Sequence, residues 1–255
     1  MAKGVTDSRY YKNIADAIRG TGSYEGPIAP VQMAECITEI GQNAYQAGVQ
    51  SEYDRFWNMF QSKGAAKSYG RAFAGECWTK ELFTPKYDIV ATNLYATFQG
   101  SALTDIAALL EKTGRCLDTS QATNVEYAFN SRYITRVPVI STVNAPALTT
   151  TFGWTSSLVT IEKLILKEDG TQTFLNTFTS AIALQNIVIE GKIGQNGFDI
   201  SWSPLTHDSL MSIINALQDK TGTGTSWTVT LGTTNLAKLA DSEKAIATQK
   251  GWTLA

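Results

Sequence analysis

From Ser8 to about Gln61 apolar residues recur at helical intervals. Tyr11, Ile14, Ala15 and Ile18 share one face of a short helix that should stop at Gly20, and TGSYEGPIAP after it is turn material. A second helix is predicted from Pro30, with Met33, Ile37 and Ile40 on one side before Gly41. The third run places Tyr45, Val49, Glu52/Tyr53, Phe56 and Phe60 at spacings of three and four, a heptad-like stripe. That stripe serves either as an oligomer or docking face or as packing against its own chain. The pattern dissolves at Ser62, and the segment up to Val90 reads as irregular chain leading into a first strand. Its aromatic residues Tyr69, Phe73, Trp78, Phe83 and Tyr87, with Tyr53 to Phe60, either bind sugar rings or partner proteins or, the preferred reading, weld the helical segment to the neighbouring domain.

The middle of the chain repeats. Phe98 is followed by Leu103 and Ile106, and Phe129 by Ile134, Val137 and Val139. Phe152 precedes Leu158, Ile161 and Leu164, and Phe178 precedes Leu184, Ile187 and Ile189. One such unit cannot close a core. A phenylalanine from a turn and two or three aliphatics from a short strand fill one layer, and the next unit covers it. Strands stacked this way run parallel and leave a face rich in Thr, Asn, Ser and Gln. The competing architecture is a Thr-rich β-sandwich with accidental self-similarity.

After residue 205 helix and turn return. LTHDSLMSIINALQDKTG offers Thr206 or Asp208 as cap, Leu210, Ile213, Ile214 and Leu217 as buried stripe and Gly222 as stop. A strand at Trp227, Val229 and Leu231 and a helix from about Asp241 to Lys250 complete a closing unit, with Glu243 and Lys244 outward.

Composition narrows the chemistry. With 21 Lys+Arg against 23 Asp+Glu in 255 residues the net charge is -2, which supplies no field for polyanions, so nucleic acid is not an expected partner. No run approaches the length of a membrane span, and the first residues lack a signal-peptide apolar region, so cytoplasmic synthesis without membrane insertion is expected. Cys36, Cys77 and Cys116 are widely separated and are expected to be buried small apolar residues rather than a disulfide framework. The lone histidine, His207, could be matched with Ser201 or Ser203 and Asp208, but no GxSxG elbow is present and a solvated helix start is the simpler reading. TGTGTS at 221–226 inverts the order of a phosphate loop, and Glu168–Asp169 lies in a turn. No catalytic residue, metal ligand set or cofactor is nominated. Tyr133, Arg136 and Trp154 flank the repeat strands and are the candidate ligand face, although a one-residue slip in register would turn them inward.

EYDRFWNMFQ, YGRAFAG, Trp78, FTPKYDI and the phenylalanine-anchored repeats together resemble phage and prophage proteins of gut-type Gram-positive bacteria that carry degenerate leucine-rich repeats of the BspA-like kind. YYKNIADAIRG and PVQMAECITEI are similar to an N-terminal module of phage tail and other virion proteins, and residues 205–252 to the unit that closes such repeat domains. The resemblance implies an α+β chain. A helical N-terminal attachment or oligomerisation segment spans 1–62, a short irregular leucine-rich-repeat-like solenoid with parallel strands 63–204, and a helical C-terminal capping unit 205–255. The regular LxxLxLxxN core is missing, which favours a distorted solenoid. The implied role is a non-enzymatic virion protein, such as a tail fibre, baseplate appendage or head fibre. Its partners would be other virion proteins, a host surface protein or glycan, and further copies of itself in a homo-oligomer, most simply a trimer. The alternative is a bacterial leucine-rich-repeat adhesin or interaction module without a virion role.

Overall fold

Phenylalanine turns organise the structure, a computed structural model that describes residues 66–255 apart from Cys77, Thr79, Glu81 and Leu82. The helices expected over 1–62, with the stripe Tyr45, Val49, Tyr53, Phe56 and Phe60, lie outside the described residues. In five successive turns the residue two before a buried phenylalanine has left-handed backbone: Arg71, Ala96, Tyr127, Thr150 and Asn176, with φ between 52° and 59°. Such a conformation costs a non-glycine residue about 1–2 kcal/mol. It is offset because alternate N–H groups then point at the next turn. Tyr69, Arg71, Phe73 and Gly75 donate to the carbonyls of Asn93, Tyr95, Thr97 and Gln99 at 2.8–2.9 Å. Leu94, Ala96, Phe98 and Gly100 repeat the pattern toward Asn124, Glu126, Ala128 and Asn130, and Thr150, Phe152 and Trp154 toward Leu175, Thr177 and Thr179.

Registered turns bring the rings into a file. Phe73, Phe98, Phe129, Phe152 and Phe178 stack in order with centroids 5.3, 5.4, 5.5 and 5.6 Å apart and interplanar angles falling from 26° to 8°. All five are fully buried, worth about 2 kcal/mol each in area alone. The segment read as irregular thus already supplies the first ring, Phe73, which also packs edge-on to Trp78 and Phe83 at 5.0 Å.

Between turns lie parallel strands, giving a chain of mixed helix and strand. The strands are β1 (Lys67–Ser68), β2 (Ile89–Asn93), β3 (Leu117–Asp118), β4 (Arg136–Ser141), β5 (Thr160–Ile165), β6 (Asn186–Glu190), β7 (Trp227–Val229) and β8 (Trp252–Leu254). They form the sheets β1-β2-β3, β4-β5-β6 and β7-β8. In the middle sheet Val137, Ile161 and Ile187 form one buried row, and Ile140, Leu164 and Ile189 the next. Three residues separate the rows in β4 and β5 but two in β6, and a register shift between Ile161 and Leu164 absorbs the difference. Ile140 therefore fills the layer and Val139, expected inside, is 43 % exposed.

Among the described residues four helices break the pattern: α1 (Ile106–Thr113), α2 (His207–Ala216), α3 (Thr233–Leu236) and α4 (Asp241–Gln249). Ile106, expected to close a strand layer, instead opens α1, because Asp105 caps the helix by accepting from Ala108 N–H at 2.8 Å and the subsequent IAALLEK run favours helix. Gly114, left-handed at φ 63°, ends it. Helix α2 buries Leu210, Ile213 and Ile214 as expected. It stops before Leu217, not at Gly222, because Leu217 pairs in parallel with Ile193. Trp252 in β8 is buried and donates through Nε1 to the Gln218 carbonyl at 2.7 Å.

Candidate functional site

Two surfaces bear on function, the outer face of β4-β5-β6 and the edge formed by the turns. On the sheet face Arg136 bonds Glu111 at 2.8 Å and Glu162 more closely, with Asp105 at 3.9 Å. Hydrogen bonding to Glu111 above all raises the guanidinium pKa further. Tyr133 donates its hydroxyl to Glu76 at 2.9 Å, and Arg132 lies over the Tyr133 ring at 4.8 Å while pairing with the same carboxylate at 3.1 Å. Lys163 pairs with Glu190 at 3.0 Å. The charges of Arg136 and Lys163 on the sheet, and of Arg132 and Glu76 in the turns, are thus spent on partners within the chain.

Trp154, the third candidate, belongs to the turn edge. It is 54 % exposed and has φ 54°. Its backbone N–H donates to Thr179 at 2.6 Å, and Ser203 Oγ donates to Ala181 at 3.0 Å, so the segments 152–155, 178–181 and 200–203 lie side by side. Trp202 precedes Ser203 as Ser180 precedes Ala181, and is 63 % exposed. Ile182, 54 % exposed, sits beside them. Trp202 and Ile182 were not evident as site residues from the sequence. The signal was the recurrence of tryptophan, hydroxyl residues and leucine in WTSSL and WSPL.

The remaining candidates take structural roles. His207 Nε2 contacts Glu243 Oε1 at 2.8 Å, and Glu243 turns back, rather than outward, to accept from Ala240 N–H at 2.8 Å. That backbone bond first, and His207 second, hold the Glu243 carboxyl below its usual range. Ser201 Oγ donates to Asp199 and Ser203 Oγ to the Ala181 carbonyl, so neither hydroxyl is directed to His207. Cys116, expected to be buried, is exposed where the chain leaves α1 for β3, since the inward position there goes to Leu117. Partial burial and then the Asp88 carboxylate push its thiol pKa up. Cys36 and Cys77 lie outside the described residues. Among the described residues no group of three or more His, Cys, Asp or Glu is arranged to hold a metal ion, and no helix is long and apolar enough to cross a membrane.

No protein-family model, curated protein or solved structure gives a significant match to this chain.

Proposed function

We propose that this chain is a non-enzymatic virion protein of a phage or prophage: residues 1–62 dock it, through the stripe Tyr45 to Phe60, and the remainder is a short leucine-rich-repeat-like solenoid that displays a binding surface. The observation that carries this reading is the run of five left-handed turns, each followed by a buried phenylalanine. It gives a rigid spine on which outward residues differ from one turn to the next, as a display scaffold requires. The exposed tryptophans, Trp154 and Trp202, lie on its edge.

Immunogold electron microscopy of particles released from an induced producing culture tests it. Label at the tail tip supports host recognition and label around the capsid a head fibre. Protein found only in the lysate, with unlabelled particles, overturns the virion reading in favour of an intracellular interaction module. Light scattering of the full chain at micromolar concentration should give a homo-oligomer, and a monomer alone removes the docking stripe as a self-assembly face.

A further inference from the structure

We propose that the turn edge bearing Trp154, Ile182 and Trp202 is a binding ridge for a neutral glycan. This rests on the reading of the domain as a display surface and names the chemistry displayed.

The first observation is backbone strain. Two residues after the ladder phenylalanine the chain is again left-handed, and the first two turns place glycine there, Gly75 at φ 90° and Gly100 at φ 65°. In the turn of Phe152 the same place holds Trp154 at φ 54°. A bulky side chain in that region is an outlier that costs about 1–2 kcal/mol, and here it holds an indole out in water. The same backbone lets the Trp154 N–H reach the Thr179 carbonyl at 2.6 Å, so the ladder gains a bond from it while the ring stays outside. The strain fixes the direction of an exposed ring.

The second observation is spacing. Trp154 and Trp202 flank Ser180 on adjoining segments, so their backbones are separated by two inter-strand steps, about 10 Å. Both rings are exposed, with Ile182 alongside.

The third is charge. Residues 142–161, 173–189 and 200–206 contain no Asp, Glu, Lys or Arg, with Asp199 and Asp208 the nearest beyond the last segment. Ser156, Ser157, Thr179, Ser180 and Ser201 stand on the turns of the two tryptophans and the one between them, all at least partly exposed, with the Ser201 hydroxyl given to Asp199. The sheet face carries Arg136, Glu162, Lys163 and Glu190, and on the earlier turns Arg132 and Glu76 neutralise each other at 3.1 Å. An anionic polymer or membrane surface calls for cations that the ridge lacks, and a protein interface surrounds its aromatic anchors with arginine and methionine and is poor in serine, the opposite of this ridge. A neutral sugar presents what fits: an apolar face of C–H bonds for indole stacking and a belt of hydroxyls for serine and threonine.

Affinity electrophoresis of the full chain decides it, in gels containing glycogen, a mixed-linkage β-glucan or a galactomannan, with polygalacturonate as the anionic control. We expect retardation by at least one neutral polymer. Trp154→Gly and Trp202→Ala should each weaken it about tenfold or more, as for aromatic anchors at an interface. Val188→Ala, on the sheet face, should leave it unchanged. Trp154→Gly places glycine where the first two turns have it, so it is expected to keep or raise the thermal midpoint, and that midpoint separates lost binding from misfolding. Retardation by no neutral polymer, by polygalacturonate alone, or undiminished in both tryptophan variants overturns the proposal. Gold-labelled particles without glycan retention would sink the ridge and leave the virion reading. Retention without labelled particles would do the reverse.

Discussion

The residue immediately before each ladder phenylalanine faces the preceding turn, and its hydroxyl, where it has one, needs an acceptor there. Thr97 Oγ1 finds the Tyr69 carbonyl at 2.9 Å and Thr177 Oγ1 the Leu148 carbonyl at 2.7 Å, while Ala128 avoids the need. Thr151 Oγ1 is buried with no hydrogen-bond partner among the described residues. An unpaired buried hydroxyl carries its full desolvation cost, so Thr151→Val is expected to raise stability by about 1 kcal/mol and Thr177→Val to lower it by about as much. Urea midpoints of the two variants check this; equal losses in both would show that Thr151 is satisfied. The threonine at each place was visible in the sequence, but whether it was paired depends on a carbonyl some thirty positions earlier, which no local pattern reveals. Val139 escaped prediction for a related reason. With Val and Ile adjacent in the sequence, only the register of β5 and β6 decides that Ile140 turns in.

Elements reveal how the middle sheet ends. A free edge at β6 would offer unpaired N–H groups to any passing strand. Helix α2 covers it, with Ser209 Oγ accepting from Ile187 N–H at 2.9 Å and Ser212 Oγ from Ile189 N–H at 2.8 Å. Ser209→Ala and Ser212→Ala should each cost about 1–2 kcal/mol, and the double variant should lose amide-exchange protection at Ile187 and Ile189 first. Retained protection there would mean that packing of Leu210 and Ile213 alone seals the edge. The apolar stripe of α2 was legible because Leu210, Ile213 and Ile214 follow helical spacing. The serines were not, since a small polar residue on a helix has no periodic signature of its partner. For α1 the reverse holds: Asp105 and the alanine-leucine run announced a helix, but Ile106 also fitted the repeat, and local propensity won over pattern.

The whole molecule repeats one further device, an aspartate whose carboxylate accepts from the residue two ahead. Asp118 does so with Ser120, Asp169 with Thr171, Asp199 with Ser201 and Asp219 with Thr221, all at 2.9–3.0 Å. For Asp169 and Asp219 the backbone bond, then the threonine hydroxyl, holds the folded pKa below the ordinary 3.8. The folded chain thus binds those protons less readily than the unfolded one. The stability they contribute is complete above that ordinary value and is lost as pH falls through the folded value. Asparagine keeps the accepting oxygen and removes the proton, so Asp169→Asn with Asp219→Asn should flatten the acid limb of stability measured between about pH 2 and 6. An unchanged limb would assign acid sensitivity to other carboxylates. The turns carry a different consequence for the chain's length. Successive turns meet donor row to acceptor row, so removing a single residue within a turn mismatches a whole row, whereas removing a complete unit leaves matching rows face to face. The ladder is therefore quantised in whole turns, while the chain between turns is free to vary in length, as the uneven spacing of Phe73, Phe98, Phe129, Phe152 and Phe178 shows.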